Sequence, residues 1–275
     1  MHVLSKEILD ALARRYGREY LKNDPEYFPH CYAEPRDKEV VAFLAALLAY
    51  GNIKQIFRSV KAIIDILGEE PCQAIITTKP RQWHQALCGF RHRVTKGASM
   101  AQALELVGEI LREHGSLEAL FLEGYRPRDM MESLARFAEV FYKRSSHPDL
   151  LKHLLPLPRN GSACKRLNLF LRWVVRGDDG IDLGLWKRVR AADLVMPLDT
   201  HVARFGRLFG LTKRKTGDWR MAEEITGGLR AFCPHDPVRY DFAIAWAGVE
   251  GAWRTATSAR ALLDGAGSRG GGGGR

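Results

Sequence analysis

Runs of alternating β-branched residues are nearly absent from the sequence, which excludes a protein built on sheet; "QAIITT", residues 73–78, is the one short strand candidate. Paired cysteines are missing too. The five that occur, Cys31, Cys72, Cys88, Cys164 and Cys233, are odd in number, scattered and without a Cys-x-x-Cys spacing. That excludes a disulfide framework and a zinc knuckle and fits a reducing compartment. His84 and Cys88 have the i, i+4 spacing of two ligands on one helix face, but without a third they read as mere neighbours, and no metal is expected. The longest apolar run, Val40 to Tyr50, falls far short of the ~20 residues of a membrane span. The opening "MHVLSKEILD" carries an acid and has no apolar signal core. A cytoplasmic protein without a membrane segment is the expectation.

Acidic charge is in deficit. Lys and Arg total 42 against 32 Asp and Glu, a formal net charge of +10. A basic surplus suits a polyanionic partner such as nucleic acid, or serves solubility alone. The 275 residues suffice for one large domain or two closely packed lobes.

Helical periodicity fills most of the chain and predicts an all-α fold. Leu4 to Lys22 reads as one amphipathic helix with Ile8, Leu9, Leu12 and Ala13 on a stripe. After a Pro-punctuated connection, Asp37 is a candidate cap for "EVVAFLAALLAYG", apolar on all sides like a helix at the centre of a bundle, with Gly51 at its stop. A helix at Ile53 to Leu67 follows, and others are predicted near 80–88, 98–114, 128–143, 163–176, 200–210, 219–231 and 237–248. The stretch "GAGSRGGGGGR" has nothing to bury, so residues 265–275 read as a flexible tail on a helical domain spanning 1–264.

Two helices concentrate the candidate chemistry. In "CKRLNLFLRWVVR" a helical wheel puts Leu167, Phe170, Leu171 and Val174 on one face and Lys165, Asn168, Arg172 and Arg176 on another. That stripe is either an ordinary solvated face or a phosphate-gripping one; the "LPRNGS" before it adds a Gly-containing turn and a helix N-terminus with free N–H groups. In "MPLDTHVARFGRLFGL" the side chains of His201, Arg204 and Arg207 gather opposite Val202, Phe205, Leu208 and Phe209. Asp199 stands at the start of that helix, placed to accept an N–H from His201 or Val202 as N-cap. A carboxylate fixed there beside basic helices is equally suited to stabilise positive charge in a reacting sugar.

"MPLDTHVARFGRLFGL" resembles the segment carrying the catalytic aspartate in the helix-hairpin-helix DNA glycosylases, the superfamily of endonuclease III and the 8-oxoguanine glycosylases; Asp199 falls on that aspartate. "FLAALLAYGNIKQI" is similar to their central apolar helix, whose end, here Tyr50, Gly51 and Asn52, contributes a residue reaching into DNA. "YDFAIAWAG" is similar to their closing helix. Stretches such as "GSACKRLNLFLRWVVR", "DLGLW" and "DPVRYDFA" resemble an uncharacterised bacterial family within that superfamily, over most of residues 24–249.

The resemblance implies a two-lobed helical bundle that extrudes a damaged base from double-stranded DNA and breaks its N-glycosidic bond, acting as a monomer without a cofactor, associated with the nucleoid. It implies Asp199 as the stabilising carboxylate, and Lys165, which falls on the hairpin lysine, as an amine nucleophile able to form a Schiff base and cleave the strand. Asn52, Arg166, Asn168, Arg172, Arg176, His201, Arg204 and Arg207 are the candidate DNA contacts. The match departs from the family at the hairpin, where "LPRNGSACKRLN" keeps Leu157, Pro158, Gly161 and Lys165 but is longer and one glycine short, a degenerate hairpin. Lys165 and Asp199 also stand 34 residues apart, a long interval. The four-cysteine iron–sulfur loop is missing. Protein purified without added metal is therefore expected to carry neither iron nor zinc; elemental analysis showing one metal per chain would contradict this.

Overall fold

The computed structural model describes residues 4–177 and 179–267. Among them the architecture is all-α, a multi-helix bundle with one small hairpin. The helices are α1 (Lys6–Arg15), α2 (Pro35–Leu48), α3 (Ile53–Leu67), α4 (Pro71–Thr77), α5 (Pro80–Ala86), α6 (Gly97–His114), α7 (Leu117–Gly124), α8 (Met130–Arg144), α9 (Lys165–Val175), α10 (Thr200–Leu208), α11 (Trp219–Arg230), α12 (Asp241–Val249) and α13 (Ala256–Gly267). Strands β1 (Arg91–His92) and β2 (Thr95–Lys96) form the hairpin. No helix of the described residues is long and apolar enough to cross a membrane.

The centre is α2. Val40 to Ala49 is buried without interruption, as the all-round apolar sequence predicts, and Phe43 packs against Phe137, Phe141 and Phe170. Two acids on the same helix are buried as well, and each serves the N-terminus of a neighbour. Asp37 does not cap its own helix, which starts two residues earlier; its Oδ1 accepts the Cys72 N–H at 2.8 Å, in the first turn of α4. Glu39 accepts the Leu117 and Glu118 N–H groups of α7 at 2.9 and 3.0 Å, and the Trp186 indole N–H at 2.7 Å. Carboxylates satisfy otherwise orphaned helix N–H groups and meet the positive end of the helix dipole, so these acids pin α4 and α7 to α2.

Several predicted boundaries move for physical reasons. "QAIITT" lies in α4 and its turn, not in a strand: Pro71 opens the helix at a position needing no N–H, and Cys72 and Ile75 bury their side chains. The single helix expected over Leu4 to Lys22 breaks at Tyr16 and Gly17 and continues as a 3-10 turn at Arg18–Asn23. The last predicted helix starts at Asp241, since Pro237 to Tyr240 form a turn. α7 and α13 lie in stretches for which no helix was predicted. α13 runs into the segment read as a tail, through Gly267; the rest of that segment lies outside the described residues.

Close packing at glycine fixes two of these neighbours. Gly97, buried at the start of α6, lies so near the Leu87 carbonyl that a Cβ would stand 1.7 Å from its oxygen. Both sides of that contact are backbone and neither can rotate away. Gly97→Ala is expected to cost ~3 kcal/mol in chemical unfolding by forcing α5 and α6 apart; a stability equal to the parent's would show that the two helices are free to separate.

Candidate active site

Four segments distant in sequence meet around one cleft of about 340 Å³: the end of α2 with Gly51 and Asn52, the first residue of α9, the N-cap of α10 and the inner face of α12, with Asp24 and Pro25 closing one side. Its polar lining includes Lys165, Asp199, His201, Asn52, Asp24 and Asp241; Phe242 and Trp246 of α12 supply an aromatic wall.

Asp199 is the N-cap of α10, as its position in the sequence predicts. Its Oδ1 accepts the His201 and Val202 N–H groups, both at 2.8 Å. Those bonds hold the carboxylate rigidly at the cleft wall. Beside it the His201 ring is pressed on Gly248, where a Cβ would come within 2.5 Å of the His201 Cβ, so α12 reaches α10 only because residue 248 is glycine. The His201 Nδ1 is buried without a hydrogen-bond partner.

Lys165 begins α9 after Cys164, whose backbone turns through the left-handed region at φ 45°. Its Nζ donates to the Ala49 carbonyl at 3.2 Å. Its neighbour Arg166 donates to the Leu47 carbonyl at 2.8 Å and to the His153 carbonyl, with its guanidinium 4.8 Å from the Tyr50 ring centre. Burial pulls Arg166 down to about 10, which leaves it a cation at neutral pH. Two cations from the start of α9 thus meet the unpaired carbonyls and negative dipole end of α2, and this places Lys165 at the cleft.

Behind the cleft stands Arg172, buried, with three carboxylates. It donates to Asp241 at 2.6 Å, to Asp182 at 3.0 Å and to Glu26. Burial works against the guanidinium charge, but Glu26 and Asp241 outweigh it and lift its pKa above the ordinary arginine value. The acids are in excess, and burial pushes Glu26 well above the usual carboxylate range; its Oε1 has no partner. Asp241 is raised to about 6, by burial first, with the Arg172 charge opposing and the Asp199 charge adding. Asp24 is raised by burial as well. One turn along α9, Arg176 is held by Asp236 at 2.9 Å, Asp179 at 3.0 Å and Asp182.

The structure therefore brings Lys165, Asp199, Asn52 and His201 to one cleft and places Arg172 at its back. It corrects the reading of α9 as a phosphate-gripping face. Arg166, Asn168, Arg172 and Arg176 are buried; Arg172 and Arg176 are saturated by carboxylates, Arg166 by the Leu47 and His153 carbonyls, and the Asn168 amide N–H donates to the Ala163 carbonyl at 3.0 Å, so none is presented to DNA. Arg204 and Arg207 are exposed on the outer face of α10, outside the cleft lining. Asn52 caps α3 through the Lys54 N–H at 3.0 Å while standing at the cleft edge. Sequence reasoning missed Asp24 and Asp241. For Asp241 a signal existed: one acid at the head of the otherwise apolar "DFAIAWAG".

Removing Arg172 leaves Glu26 and Asp241 buried without their cation and Asp182 with Arg176 alone. Arg172→Met is expected to destabilise the fold by about 3–5 kcal/mol, read from chemical denaturation. A loss below about 1 kcal/mol, the level of an exposed ion pair, would mean that the cage does not hold these segments together.

Residues 24–250 match the family described as "Protein of unknown function (DUF2400)", and the chain belongs to that family. No curated protein matches the chain, and no solved structure does.

Proposed function

We propose that this member of the family is a DNA glycosylase-like enzyme, whose cleft receives a base extruded from double-stranded DNA and breaks its N-glycosidic bond. The observation that carries the reading is the meeting of Lys165 and Asp199 in one cleft, beneath the aromatic wall of Phe242 and Trp246. A base inside a duplex is out of reach of any side chain, so it must leave the stack; pockets that receive such bases hold them by stacking and by polar contacts at the base edge. The cleft has the size of a small-ligand pocket, roughly 300–1,000 Å³ being usual.

The residues divide the work. Asp199, immobilised by two backbone N–H groups, supplies negative charge where the sugar turns positive as the bond to the base stretches. The Lys165 amine, once unprotonated, attacks C1′; the C1′–N bond breaks, the base leaves with the bonding pair and takes a proton from water, and the proton shed by the lysine nitrogen passes to the ring oxygen as the sugar opens, leaving an iminium. The Lys165 charge in turn works against the rise that burial gives the Asp24 and Asp241 carboxyls. With this reading go double-stranded DNA as partner, no cofactor, and a monomer acting in the cytoplasm at the nucleoid.

A second reading, a DNA-binding protein without chemistry, is favoured by a specific fact: both key residues already have structural work, Asp199 as cap of α10 and Lys165 at the end of α2. Oligonucleotides bearing individual lesions, scored for base release and for strand nicking, separate the two. In the enzyme, borohydride traps a covalent adduct with the parent and none with Lys165→Ala. Asp199→Asn keeps the cap and the fold, because Asn caps about as well as Asp, yet is expected to slow base release by about 10²-fold or more. Full base release by a folded Asp199→Asn protein would reduce this residue to a cap. Intact duplex binding with no release from any lesion would select the second reading.

A further inference from the structure

A second cavity, of about 600 Å³, opens at the head of α12 and shares with the cleft only Phe242. Four segments bound it: the end of α1, the turn that follows at Gly17 and Arg18, the loop after α9, and the turn before α12. Ala13, Gly17, Gly177 and Ala243 line it with little or no side chain, which is why space remains where these segments meet.

The walls are fastened to one another. The Tyr240 hydroxyl donates to Asp10 Oδ1 at 2.9 Å and the Tyr16 hydroxyl to Glu250 Oε2 at 2.8 Å, so α1 is tied to both ends of α12. The Tyr20 hydroxyl donates to the other Glu250 oxygen at 3.0 Å. Across the cavity Arg176 joins the loop to the turn before α12, through Asp179 at 3.0 Å and Asp236 at 2.9 Å. The shape of the space is thus set by bonds between its walls.

The charges of the lining differ in what holds them. Its carboxylates are Asp10, Asp179 and Asp236. Asp179 and Asp236 are taken by Arg176, and Asp10 by Lys6 at 2.5 Å as well as by Tyr240. Three further cations line the cavity, Arg14, Arg18 and Arg239, all of them exposed. Among the described residues no hydrogen bond or ion pair holds their side chains, although the Arg239 charge is felt at Asp10. One exposed arginine is ordinary on a protein surface. Here three separate positions direct guanidinium groups to one recess whose described acids are already engaged.

We propose that this cavity binds a small phosphate-bearing molecule, whose phosphate oxygens accept hydrogen bonds from Arg14, Arg18 and Arg239. A guanidinium presents a planar fork of N–H donors that fits phosphate oxygens two at a time, and such charge-assisted bonds are the strong ones. The volume lies in the usual range of small-ligand pockets, roughly 300–1,000 Å³. A recess bounded by four segments suits a compact ligand better than a duplex, whose phosphates run in rows along its surface. The proposal does not depend on the reading of the cleft.

The test titrates the full chain with pyrophosphate at constant ionic strength, read by calorimetry and by the unfolding midpoint. The parent is expected to bind one pyrophosphate saturably and to unfold at a higher temperature, a rise that chloride at the same ionic strength does not give. The variant Arg14→Gln, Arg18→Gln, Arg239→Gln is expected to weaken binding by about tenfold or more. Each single substitution is expected to give part of that loss, which tests the site even where the triple variant does not fold. A control that removes three exposed charges elsewhere, Arg58→Gln, Lys79→Gln, Arg81→Gln, is expected to bind as the parent does. Equal weakening in the control would reduce the effect to general charge attraction and overturn the site. So would the absence of saturable binding by the parent. Parental pyrophosphate affinity in a triple variant that unfolds more readily would assign the arginines to balancing the acids around Arg176, and would overturn the site as well. A triple variant that loses affinity for a labelled duplex, with no pyrophosphate binding by the parent, would give the arginines to DNA and refute the small ligand.

Discussion

One buried guanidinium decides how this chain closes on itself. Arg172 takes carboxylates from the 3-10 segment at Pro25–Cys31, from the loop after α9 and from the head of α12, and so joins three separate pieces at one point. A buried charge is tolerable only when paired, so each acid is committed to that point once the chain folds, and the arginine is committed to them. The cleft is the space left in front of this junction. Asp24 and Asp241 line it because their neighbours, or they themselves, are tied to Arg172.

The same commitment explains where reading the sequence succeeded and where it stopped. The helical character, the buried α2 and the cap at Asp199 are local properties: apolar periodicity, or a carboxylate within one turn of the N–H groups it satisfies. They were legible. The polar stripe of α9 was seen too, but a wheel shows which residues share a face and not what lies opposite. Arg172 and Arg176 would look the same turned to solvent, and only their acids, which stand as far away as residues 26 and 241, reveal that the face is internal. Asp37 was assigned to the wrong helix and Glu39 went unread for the same reason, since each serves the N-terminus of a helix that is not its own. "QAIITT" failed differently. Its β-branched content favours strand, but Pro71 and the packing of Ile75 outweigh a preference worth only fractions of a kcal/mol per residue.

The end of α2 concentrates several roles in a few residues. Its carbonyls take Lys165 at Ala49, Arg166 at Leu47 and His92 at Tyr50, so the C-terminal polar groups that any helix leaves open become the joint between cleft and hairpin. Lys165 and the hairpin are thereby held on the carbonyls of two successive residues. A shift of this helix end would move both together, and the geometry between them is set by main chain, which rotamer changes do not disturb.

The Arg172 junction also has a bearing on synthesis. Its members come from positions 26, 172, 182 and 241, so a chain emerging from the ribosome carries Glu26 for most of its length before the arginine that neutralises it appears, and Asp241 arrives later still. Until α12 is out, the cleft lacks a wall, and its floor is a charge cluster missing one member. The junction and the cleft in front of it are therefore completed in one step, and only when α12 has been made.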